Sequence, residues 1–131
     1  MRLRSIVFAL ACVWAMNVSA QSITEYANYV ELKSFVTNFG EVQRGPLRFV
    51  KAEITLQIAP NGSRHDVDAH MAHIRNDLNF LLNEQMEEDL ASVEAQAVLA
   101  QKALRVVQDI LIAETGSAQV DDLFFTSLVI Q

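Results

Sequence analysis

Two histidines three residues apart, His70 and His73, come closest in this sequence to a pattern that does chemistry. On a helix they share a face with Asp66 and Asp77, a spacing that presents imidazole and carboxylate ligands to a divalent metal. A closed site needs about four convergent ligands, and no cysteine falls in this segment to help. The bland alternative is a hydrated polar face. His65 adds little, because it falls at the border between loop and helix.

The remaining polar side chains make no catalytic constellation. Ser63, Ser92, Thr115 and Ser117 fall where hydroxyls cap helices and tie turns. None sits in a Gly-x-Ser-x-Gly elbow, and four widely spread glycines build no phosphate-binding loop. Glu84, Glu87, Glu88 and Asp89 cluster, but paired acid and base carboxylates need an apolar or paired setting to separate their affinities for protons. A solvated junction between helices accounts for them. Asn61-Gly62-Ser63 fits a glycosylation sequon and reads equally as turn chemistry. The expectation is a protein with no catalytic residues, no cofactor and no resident metal.

The elements that would position these residues follow from hydrophobic period. Tyr29 to Phe39 is a strand whose alternation slips between Leu32 and Phe35, the mark of a bulge. Gly40 to Pro46 is a turn. Val50, Ala52, Ile54, Leu56 and Ile58 then alternate with Lys51, Glu53, Thr55 and Gln57, giving one core face and one wet face. Ala59 to Ser63 breaks the strand. The period becomes helical, with Val67, Met71, Ile74, Leu78 and Leu81 on one stripe and Asp66 and Asp68 in the first turn. A second helix carries Ala97, Ala100, Leu104, Val107 and Leu111, with Gly116 after its last turn. The last strand, Leu123 to Ile130, is apolar on both alternating faces, which suits a strand covered on both sides near the centre of a sheet. This order of strand, strand, helix, helix, strand describes an α+β domain with two helices on one face of a small sheet.

The chain has 131 residues and a formal net charge of -6, enough for one domain and ill suited to nucleic acid or anionic lipid. Residues 1–20 read as a signal peptide. Arg2 and Arg4 open it, Ile6 to Met16 form its apolar core, and Val18-Ser19-Ala20 precedes the cleavage point. An uncleaved short inner-membrane anchor is the alternative. Cys12 also raises a lipoprotein, although Ala9-Leu10-Ala11 is a poor lipobox. Cleavage would remove the single Cys and the single Trp, so no disulfide would form. Residues 21–28 are then a tether and residues 29–131 a periplasmic domain.

Four segments in this order resemble the flagellar basal-body protein family FliL. They are Tyr29-Val30 through Leu32 to Phe35-Val36-Thr37-Asn38-Phe39, and Leu47-Arg48-Phe49-Val50-Lys51-Ala52-Glu53-Ile54-Thr55-Leu56. They continue with His73-Ile74-Arg75-Asn76-Asp77-Leu78, followed by Leu81-Leu82 and Glu88-Asp89-Leu90, and close with Phe124 to Gln131. Ser34 stands where that family usually carries proline. The resemblance implies a stomatin/prohibitin-type domain in the periplasm, close to the inner membrane. It would form a homo-oligomeric ring around the flagellar stator and contact the periplasmic linker of the stator subunit. By the same resemblance, Arg48, Phe49, Lys51 and Glu53 would make subunit contacts, and Ile74, Arg75 and Leu78 would hold helix to sheet. A periplasmic small-ligand or metal-binding module using His70 and His73 is the competing expectation.

Overall fold

A computed structural model describes residues 28–40 and 47–131. The expected signal peptide, nearly all of the tether and residues 41–46 of the first turn lie outside the described residues. The element order is β1 (Tyr29–Asn38), β2 (Phe49–Ile58), α1 (Arg64–Ala69), α2 (Met71–Asn83), α3 (Glu88–Ala91), α4 (Val93–Thr115) and β3 (Val120–Ile130). The fold is α+β, a three-stranded antiparallel sheet with helices on one side.

The sheet order is β1-β2-β3, so the central strand is β2 and the closing strand is an edge. This corrects the expectation of a central β3. The apolar residues on both of its faces have different fates. Leu123 is buried under the helices, whereas Phe124 and Val129 lie exposed on the opposite face. The strand that truly pairs on both sides is β2, which alternates strictly and buries Val50, Ala52, Ile54, Leu56 and Ile58.

Both outer strands carry one residue more than β2 at the same level. In β1 the register passes from Leu32 opposite Ile54 to Phe35 opposite Ala52, leaving Lys33 and Ser34 across from Glu53 alone. In β3 it passes from Phe125 opposite Ile54 to Ser127 opposite Glu53, leaving Thr126 unpaired in the ladder. The first of these bulges is the slip legible between Leu32 and Phe35. Side by side, the two bulges bend the sheet where Glu53 sits.

The helices start and stop at their capping residues. The Ser63 hydroxyl accepts from Asp66 N–H at 3.2 Å and the Ser92 hydroxyl from Ala95 N–H at 3.0 Å. Gly116 ends α4 at φ 85°, a left-handed conformation suited to glycine. His70 separates α1 from α2 with φ -107° and ψ 13°, so the single helical stripe from Val67 to Leu81 is divided between two segments. Val67, Ile74, Leu78 and Leu82 are buried, with Met71 and Leu81 partly so.

On α4 the buried face is Leu99, Ala103, Val107, Ile110 and Leu111, rotated from the expected stripe, and Ala97 is exposed. Apolar side chains surround much of this helix. Several faces therefore satisfy its period equally well, and packing against the sheet and α2 selects one.

Candidate functional site

The helices leave one face of the sheet open. Along it the rungs read Tyr29, Gln57 and Asp122, then Glu31, Thr55 and Phe124, then Val36, Lys51 and Val129, then Asn38 and Phe49. Val36 is 58% exposed, Val129 46% and Phe124 42%, with Tyr29 and Phe49 also on the surface. This face thus holds five of the large exposed apolar residues, interleaved with charges of both signs. Glu31 and Lys33 pair at 3.6 Å. Lys51 and Glu53 make no ion pair among the described residues. Where the bulges meet, a shallow depression of about 260 Å³ is lined by Glu31, Lys33, Glu53, Thr55 and Thr126 over the backbone of Leu32 and Ile54. The Thr126 hydroxyl donates to the Glu53 carbonyl at 3.3 Å.

Phe49, Lys51 and Glu53 share this face, and Arg48 does not join them. Its guanidinium pairs with Glu87 and lies 5.6 Å from the Phe39 ring, at the end of the sheet beside the acidic junction. That junction is a turn leading into α3. Met86 N–H donates to the Asp89 carboxylate, and the Gln85 carbonyl accepts from Gly40 N–H at 2.8 Å.

Ile74 and Leu78 are buried. Arg75 is half-buried and ties α2 to β1. Its guanidinium donates to the Lys33 carbonyl at 3.2 Å and stands 4.5 Å from the Phe35 ring centroid. The carbonyls it caps belong to the bulge, where Ser34 has φ 59°. A proline, with φ fixed near about -65°, does not fit there.

The histidines and their carboxylates do not converge. His70 Nδ1 lies 2.8 Å from the Asp66 carbonyl oxygen and Nε2 lies 3.9 Å from Glu114. His73 Nε2 lies 3.4 Å from Asp77 on the same helix. The Asp66 carboxylate instead accepts from Gln119 at 3.3 Å. Among the described residues no group of three or more His, Cys, Asp and Glu is placed to hold a metal ion.

Three features of the open face escaped the sequence reading: the contributions of Val36, Phe124 and Val129, the second bulge at Thr126, and the depression between the bulges. The double-sided apolarity of β3 was the available signal. It is equally the signature of an uncovered sheet face.

The order of these elements, with the bulge in β1 and the closing strand beside β2, belongs to residues 29–131, and over those residues the chain matches the family model described as flagellar basal body-associated protein FliL. The chain belongs to the FliL family. A search of curated proteins gives no match. FliL membership makes this a basal-body-associated component of the flagellum, tied to motility. Among the described residues of this FliL domain, no helix is long and apolar enough to cross a membrane.

Proposed function

We propose that this FliL-family protein is a non-enzymatic periplasmic component that supports flagellar rotation by assembling around the stator. The observation that carries the reading is the open face of the sheet. A layer of three strands with helices on one side leaves its second side wet, and here that side presents Tyr29, Val36, Phe49, Phe124 and Val129. The charges along this face are Glu31, Lys33, Lys51, Glu53 and Asp122, two cations against three anions, on a chain whose formal net charge is -6. Acidic copies repel one another least through such an apolar surface of mixed, nearly balanced charge.

Phe49, Lys51 and Glu53 are therefore subunit-contact residues in this reading, while Arg48 steadies the end of the sheet through Glu87. Residues 1–20 direct export or hold the domain at the inner membrane, and residues 29–131 form a stomatin/prohibitin-type assembly unit. The partner is the periplasmic linker of the stator subunit.

The test is motility of a strain lacking the gene, complemented by the full chain. Weakened swimming and swarming with flagella still assembled, restored by the gene, is the expected result. Normal motility at both low and high load would overturn the reading.

A further inference from the structure

A surface that meets its own copy closes as a two-fold dimer, and a ring needs two different surfaces that fit each other. If the self-assembly reading above holds, the open sheet face therefore needs a complement elsewhere on the same chain. The cations identify one. Among the described residues Lys33 pairs with Glu31, Arg48 with Glu87 and Arg64 with Asp68, while Arg75 is spent on the carbonyls of the β1 bulge. Among the described residues the cations without such partners are Lys51, Lys102 and Arg105. Two of these three lie on the outward side of α4.

That side of α4 is a surface in its own right. Val98, Arg105 and Ile112 recur at seven-residue intervals opposite the buried Leu99, Ala103, Val107 and Ile110. Val98 is 53% exposed and Ile112 50%, so the stripe is apolar at both ends and charged between them. At about 1.5 Å per helical residue, the 23 residues of α4 span about 34 Å, close to the about 33 Å of the ten-residue β2.

The charge spacings agree as well. Arg105 and Asp109 stand about 6 Å apart along the helix axis, and Glu53 and Lys51 about 6.6 Å apart along β2. A helix laid antiparallel to β2 places Arg105 over Glu53, at the depression between the bulges, and Asp109 over Lys51. Val98 then falls toward Phe124 and Ile112 toward Val129 and Phe49.

We propose that assembly is heterologous: the outward stripe of α4 in one copy packs on the open sheet face of the next, with Arg105 seated at Glu53 and Lys102 near Glu31. Each copy then offers one sheet and one helix, and the contact propagates.

Cysteine cross-linking of the full chain in cells tests this, in a Cys12→Ser background. Gln101→Cys lies on the outward side of α4 and Thr126→Cys on the rim of the depression. The expected result is a ladder of dimers, trimers and larger species from the double variant under mild oxidation, with each single variant remaining monomeric. Glu53→Arg and Arg105→Glu should each reduce the ladder at least tenfold, and the two together should restore it. Thermal melting of each variant checks that the fold survives.

Dimers from Thr126→Cys alone would mean that the sheet face meets itself, overturning the heterologous contact while leaving self-assembly intact. Higher species of the unsubstituted chain with a lysine-reactive cross-linker, but no ladder from the double variant, would overturn this contact while leaving self-assembly intact. Failure of the charge exchange to restore the ladder would overturn the Arg105 to Glu53 pairing. A chain that stays monomeric under every reagent would overturn this contact and the self-assembly reading together.

Discussion

The Arg75 guanidinium stands 4.5 Å from the centroid of the Phe35 ring, and the same group donates to the carbonyl of Lys33. A cation on α2 thus covers the first aromatic side chain after the β1 bulge and donates to a carbonyl within that bulge. Arg75→Ala should lower unfolding free energy by about 1 kcal/mol, and Arg75→Lys should recover only part, because an ammonium lacks the planar fork. Urea denaturation at constant m-value is the check.

Ser34 occupies left-handed backbone at φ 59° within the same bulge. Ser34→Gly should raise stability by about 0.5 kcal/mol by relieving the Cβ strain, and Ser34→Pro should cost about 3 kcal/mol or more. The opposite signs, read in one urea series, test the bulge conformation directly.

Gln119 joins three elements at the end of the sheet nearest Tyr29. Its Oε1 accepts from Ser63 N–H at 2.7 Å, and its Nε2 donates to the Asp66 carboxylate and to the Thr115 hydroxyl. Gln119→Leu would leave a part-buried amide without its partner and should cost about 2 kcal/mol. Amide hydrogen exchange should localise the loss to Ser63 and the first turn of α1. Gly62→Ala should be at least as damaging, since an added Cβ would lie 2.2 Å from the Gln119 carbonyl oxygen.

Val36 and Val129 flank Lys51 on one rung of the open face. Val36→Asp and Val129→Asp should change the melting temperature little, because both positions are exposed, while reducing self-association measured by sedimentation velocity. Loss of stability with unchanged association would argue against an interface here.

His70 and His73 engage different carboxylates, Glu114 and Asp77. Zinc, nickel or manganese at moderate excess should therefore leave the melting temperature unchanged. A rise that depends on metal concentration, abolished by His70→Ala, would restore a metal-binding role.

Local chemistry made much of the fold readable. The alternation from Val50 to Ile58 marked the strand with one core face, and it became the central strand because every second side chain is apolar. The slip between Leu32 and Phe35 marked a bulge because a period of two tolerates no extra residue without one. Ser63, Ser92 and Gly116 marked helix ends, since caps act within a single turn. The division at His70 was less visible, because an apolar stripe continues across it from Val67 to Ile74 while the backbone does not.

The candidate surface was only half legible. Phe49, Lys51 and Glu53 could be assigned to one face by alternation, but their neighbours across the sheet depend on strand order and register. Arg48 is next to Phe49 in sequence, yet its side chain reaches Glu87, 39 residues away.

Sequence alone determined the α+β class, the wet side of β2 and the bulge in β1, because each rests on the spacing of side chains a few residues apart. Tertiary structure decided that β3 is an edge, which side of α4 is buried, and that the bulges of two distant strands meet at Glu53. Those outcomes depend on which surfaces remain to be covered once the chain has packed, and no local period encodes that.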